Sequence, residues 1–97
     1  MNQAYISGGI SGISPDAVRS AFDKGVTYAV SMGYDVTDPS LLHMPTWTWE
    51  DYMTHWLCLL PSMSIVVMLP NWRASKGACA ERDCALQLGI PVVEMPA

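Results

Sequence analysis

Residues 64–69 read SIVVML, a continuous apolar run of strand length that is rich in β-branched side chains. A strand with one wet face alternates apolar and polar residues, and this run does not, so it predicts a central parallel strand covered on both faces. Downstream, ASKGACAERDCALQLG (74–89) predicts a helix. Ser75 caps it by accepting a first-turn N–H, and Gly89 stops it. It should run about four turns. Ala78, Glu81, Ala85 and Leu88 share one stripe, with Lys76, Arg82, Asp83 and Gln87 mostly elsewhere. IPVVEM (90–95) is the last strand.

Upstream, Thr48 caps another helix, with Asp51 placed to complete an approximate capping box. Trp49, Tyr52, Met53, Trp56, Leu57 and Leu60 recur at i, i+3, i+4, i+7, i+8 and i+11, so this helix should bury an aromatic face. Before it, DPSLLHMPTW (38–47) is a loop broken by two prolines, and residues 34–37 form a short strand. The chain opens with a strand at 4–7 and the glycine loop Gly8, Gly9, Ile10, Ser11, Gly12. Ser14-Pro15-Asp16 then starts a helix with the stripe Val18, Ala21, Phe22, Gly25 and Ala29, ended by Gly33.

Strands and helices therefore alternate as βαβαβαβ. That order predicts a single α/β domain over residues 1–97: a small Rossmann-like or flavodoxin-like parallel sheet of about four strands, with helices on both faces. A chain of 97 residues has room for one domain, and its 51% apolar content is ample for a core. With a net charge of −4 and five Lys plus Arg there is no basic stripe, which excludes long nucleic acid as a partner. A single nucleotide stays compatible, because helix N-termini and glycine-loop amides hold phosphate without Lys or Arg. No apolar stretch is long enough to cross a bilayer, and MNQAYISGG places no charged segment before an apolar run, so a cytoplasmic protein is expected. Cys58, Cys79 and Cys84 form no CxxC pair, and His43 and His55 lack companions at ligand spacing, so neither metal nor other cofactor is expected. The small surface and high apolar content point to a homo-oligomer, dimer or higher.

Ligands of open parallel sheets bind at the carboxyl ends of the strands. Here that edge carries the loops 8–12, 37–48 and 70–77, and Glu81 lies in the second turn of the helix leaving the last of them. A carboxylate on an apolar stripe needs a partner. Two readings fit Glu81: a site residue facing the crevice, or a structural carboxylate paired with the Tyr5 hydroxyl. Trp47 and Trp72 sit in crevice-edge loops as stacking platforms for a base or as oligomer contacts, whereas Trp49 and Trp56 read as core or interface anchors.

Three segments together, YISGGISG (5–12), WTWEDYM (47–53) and LPNWRASKGACAERDCALQLGIPV (69–92), resemble small phage and bacterial proteins of the DUF4406 type. These are placed with the nucleoside 2-deoxyribosyltransferase-like superfamily. The spacing of Ser75, Gly77 and Glu81 is also similar to that in 2′-deoxynucleoside 5′-phosphate N-hydrolases. The resemblance implies that Glu81 is the nucleophile at the anomeric carbon and that Tyr5 orients it. It further implies that Ser7, Gly8, Gly9 and Ser11 on one loop, with Ser75 and Gly77 on the other, hold phosphate or sugar oxygens.

Relatives of this type carry an Asp at the start of the central strand and another about two helical turns earlier; here those places hold Ser64 and Trp56. Their Asn-Pro after the second strand is Asp38-Pro39, and their Pro after the first Gly is Gly9. Asp38, Asp51 and His55 are the candidates to replace the missing acids. Asp38 is counted with the substrate contacts, while the helical pattern puts Asp51 and His55 off the apolar stripe. The expected function is cleavage of an N-glycosidic bond or deoxyribosyl transfer on a nucleoside or nucleotide. The alternative is an inactive pocket that sequesters an ADP-ribose-type or cyclic nucleotide signal, in the host cytoplasm if the protein is phage-encoded. A third reading is a small interaction domain with no ligand.

Overall fold

In the computed structural model, which describes residues 2–96, the elements follow in the expected order. They are β1 (Gln3–Ser7), α1 (Pro15–Ser31), β2 (Asp35–Thr37), α2 (Trp49–Leu59), β3 (Ile65–Met68), α3 (Lys76–Gln87) and β4 (Val92–Glu94). All strand pairs are parallel, in the order β2-β1-β3-β4. Tyr5 lies beside Val66, and Ser7 beside Met68. Every residue of β3 is buried, as a strand covered on both faces requires. No helix among the described residues is long and apolar enough to cross a membrane.

Alternation along the strands splits the core in two. Ala4, Ile6, Ile65, Val67 and Leu69 pack with Phe22 and Ala29 of α1 on one face. Tyr5, Val66 and Met68 pack with Leu60, Met63, Ala78 and Ala85 on the other, beneath α2 and α3. The caps form as the sequence requires. Ser14 Oγ accepts from Ala17 N, Ser75 Oγ accepts from Ala78 N, and Thr48 and Asp51 exchange the reciprocal bonds of a capping box. Gly33 and Gly89 take φ of +90° and +75° just past α1 and α3, where a Cβ would be strained.

Three details differ from expectation. Pro61 offers no N–H, so α2 stops at Leu59 and gives way to a 3₁₀ turn at Leu60–Ser62. Leu88 is the C-cap of α3, turned away from the helical stripe and about half exposed. The stripe of α2 is not buried as one face: Met53 and Leu60 go into the core, while Trp49 remains at the surface.

From β1 the chain goes first to β2 on one side and then to β3 on the other. The carboxyl ends of β1 and β3 therefore bracket the point where strand order reverses, the place at which such sheets open a crevice.

Candidate active site

A cleft of about 380 Å³ opens at that point. Its buried end is formed by Glu81 and Ala78 of α3 with Tyr5 of β1. Gly8, Ile10 and Ser11 of the first loop make one side, and Ser75 and Gly77 bring the start of α3 to the rim. The facing wall is α2, through Trp49, Tyr52, Met53 and Trp56, and the segment 39–43 closes the remaining side with Pro39, Ser40, Leu42 and His43.

Glu81 is only 6% exposed, and both of its carboxyl oxygens are held. Tyr5 Oη donates to Oε2 at 2.5 Å, and Ser7 Oγ donates to Oε1 at 2.7 Å. Tyr5 and Ser7 stand two apart on β1, so both side chains leave the same face of the sheet, toward α3. None of the three ion pairs among the described residues involves Glu81. Burial pushes the carboxyl above its ordinary range, while the hydroxyls of Ser7 and Tyr5 pull it part of the way back. The Tyr5 hydroxyl is driven upward by its own burial and then by the charge of Glu81, so it remains a donor. The outcome is a desolvated carboxylate with fixed orientation and no counter-charge, a group that gains by meeting positive charge.

The facing wall is aromatic and braced from behind. Tyr5 and Trp56 lie with ring centroids 5.8 Å apart. Tyr52 Oη accepts from Met44 N and donates to Met44 O, which ties the 38–47 loop to α2. Gly77 lets α2 and α3 approach: a Cβ there would meet Met53 Sδ at 3.2 Å. At the mouth, the Lys76 ammonium lies 4.6 Å from the centre of the Trp49 ring.

Of the residues singled out from sequence, Tyr5, Gly8, Ser11, Ser75, Gly77 and Glu81 are brought together around the cleft. Ser7 lies beneath it, fully buried against Glu81 and out of a ligand's reach. Gly9 donates its N–H to Asn71 Oδ1 and so joins the first loop to the third. Asp38 is committed elsewhere, accepting from Arg19 Nη2 at 2.6 Å and from both the N–H and the hydroxyl of Ser40. Trp47 is not a crevice platform. It packs against Tyr52 and His55 beside a shallow depression lined with Asp51 and Thr54. Trp72 is also off the cleft, with its indole N–H on Glu94 Oε1 and the guanidinium groups of Arg73 and Arg82 against its ring.

The tryptophans that do line the cleft are Trp49 and Trp56, taken from sequence as core or interface anchors. Their signal was present in the α2 stripe, whose aromatics gather in its first two turns and whose aliphatics follow. The contribution of 39–43 had no periodic signal. Ser64 lies at the opposite edge of the sheet, where its hydroxyl accepts from Gln3 N, so its place is outside a ligand's reach.

A family model described as "Domain of unknown function (DUF4406)" matches residues 2–94. The chain belongs to the DUF4406 family. The match runs from β1 to the last residue of β4, so every cleft residue of this DUF4406 domain lies within it. Among curated proteins none matches this chain.

Proposed function

We propose that this DUF4406 protein binds a deoxynucleoside or deoxynucleotide in the cleft and breaks or transfers its N-glycosidic bond, with Glu81 as the nucleophile. The observation that carries this reading is the buried carboxylate whose oxygens are both fixed by the hydroxyls of Tyr5 and Ser7, without a cation, at the end of an aromatic-walled cleft. Loss of a base leaves an oxocarbenium-like sugar, and a desolvated carboxylate stabilises that charge or bonds to the anomeric carbon. Trp49 and Trp56 offer π-faces to the base. The likeness of the chain to the nucleoside 2-deoxyribosyltransferase-like superfamily supports the same assignment, as does the spacing of Ser75, Gly77 and Glu81.

One observation favours a second reading. Trp56 lines the cleft at a place where the resemblance implies an acid, and an aromatic wall there improves capture more directly than it does catalysis; the protein would then sequester a nucleotide signal.

A single experiment separates the two. Purified protein is incubated with each deoxynucleoside and deoxynucleotide, with NAD and with ADP-ribose; free base is followed by chromatography and the melting temperature is taken in parallel. Base release that Glu81→Ala abolishes supports the glycosidic reading, and a large upward shift in melting temperature without release supports sequestration. Absence of both rejects both.

A further inference from the structure

The glycosidic reading leaves one requirement open: a natural base departs as a poor leaving group unless it is protonated as the bond breaks. The three side chains that the sequence offered for this task are all engaged away from the cleft. Asp38 holds Arg19 and Ser40, Asp51 completes the capping box of α2, and His55 is packed between Trp47 and Trp56. Within the cleft, the Tyr5 hydroxyl belongs to Glu81 and that of Tyr52 to the backbone of Met44. Ser40 and Ser75 are committed to Asp38 and to the cap of α3. Ser11 remains, but an aliphatic hydroxyl is too weak an acid.

His43 is different. It lines the cleft from the segment 39–43, its side chain is exposed, and it makes no hydrogen bond to another described residue. Imidazole is also the side chain that most readily carries and releases a proton near neutral pH. Glu81 fixes the anomeric carbon at the buried end, so a base must extend outward between the aromatic wall and this segment.

Resting on the glycosidic reading, we infer that His43 is the general acid of the reaction, acting on the ring nitrogen of the departing base. As the C1′–N bond breaks, its electron pair goes to the base. The imidazolium gives its proton to N7 of a purine, while a Glu81 oxygen bonds to C1′. Water then attacks C1′, the neutral imidazole takes a proton from it, and the Glu81 carboxylate is released. An acceptor base with a ring N–H can take the place of water. The sum is deoxynucleotide plus water giving base plus deoxyribose phosphate.

The test compares wild type and His43→Gln on 2′-deoxyguanosine 5′-phosphate and on its 7-methyl derivative, after subtracting spontaneous loss. The methylated base already carries the charge and leaves without a proton. Read as base release in a single turnover with enzyme in excess, before the water step that both substrates share, the expected result is a loss of roughly a hundredfold on the unmethylated nucleotide, with the methylated rate unchanged. That unchanged rate also reports that the variant is folded. An equal loss on both substrates, or no loss on either, overturns the assignment while leaving the glycosidic reading in place. Release of base from neither nucleotide by the wild type removes the role of His43 in purine release, and the glycosidic reading falls with it when every other deoxynucleoside and deoxynucleotide is also left intact.

Discussion

Glu81 carries a stability signature that can be read without any substrate. Its folded carboxyl is raised by burial, and the hydroxyl donors offset only part of that. Between the ordinary carboxylate range and the raised value the folded protein retains a proton that the unfolded chain has lost, so stability falls as pH rises through this interval. The contribution is complete below the unfolded value and gone above the folded one. Glu81→Gln removes the titration while keeping shape, and each neighbouring hydroxyl can turn to donate to the amide oxygen or accept from its N–H. The variant should therefore gain on wild type as pH is raised from the ordinary carboxylate range through the raised folded value, and then hold a constant lead. Each tenfold displacement of the proton equilibrium is worth about 1.4 kcal/mol. Denaturant melts of both proteins across that range measure the gap, and a gap that does not change with pH contradicts a raised carboxyl. The same substitution should abolish base release. Much of this was legible in the chain: a carboxylate on the stripe of Ala78 and Ala85 had to find partners, and Tyr5 was in position to be one. Ser7 was assigned to the ligand, although the two-residue alternation of β1 already placed it on the face of Tyr5, under Glu81.

Elements were legible to the extent that periodicity and caps specify them. Ser14, Thr48 and Ser75 mark three helix starts, and Gly33 and Gly89 mark two of the ends, because each supplies or permits a bond that the backbone otherwise lacks. What a period cannot give is the identity of the neighbour. The α2 stripe has one pattern but two neighbours, the core under the sheet for Leu60 and the cleft for Trp49, Met53 and Trp56, and only the tertiary path distinguishes them. The segment 39–43 was illegible for a related reason: its position is set by Arg19 reaching Asp38 and Ser40 and by Tyr52 holding Met44, all contacts between elements. Gly25 tests how closely α1 must approach the sheet. A Cβ there would lie 2.7 Å from Leu69 Cδ2 and 2.9 Å from Ile6 Cγ2, and the branched Ile6 has little freedom to yield. Alanine gains about 1 kcal/mol of helix propensity over glycine, whereas overpacking a core costs about 1–3 kcal/mol. Gly25→Ala should therefore be destabilising by roughly 1 kcal/mol net, visible as a lower urea midpoint at unchanged slope. An unchanged or higher midpoint means that α1 shifts freely and that the close approach is not required.

Across the whole molecule, the arrangement of α1, α2 and α3 sorts exposed apolar side chains to two ends. In a parallel sheet each connecting helix runs back against its strand, so the carboxyl end of every helix lies at the amino edge of the sheet, opposite the cleft. Leu59 ends α2, and Leu86 and Leu88 end α3, on the same face of the sheet, and all three are exposed. Scattered singly they would need no explanation. Gathered at one end of a chain this small, they form the surface through which we propose that copies associate, and this leaves the cleft open to its ligand. The alternative contact, around Ile10 and Trp49, lies at the cleft edge and would compete with that ligand. The two arrangements make opposite predictions. Assembly through the helix ends should appear in sedimentation as a dimer or larger species, be lost in the double variant Leu86→Glu, Leu88→Glu, and be indifferent to added deoxynucleotide. A melting temperature that climbs with protein concentration should accompany it and disappear in the same variant. Assembly that the double variant leaves intact but a cleft ligand disperses assigns the contact to the other end, and a wild-type chain that sediments as a monomer at all concentrations removes the proposal.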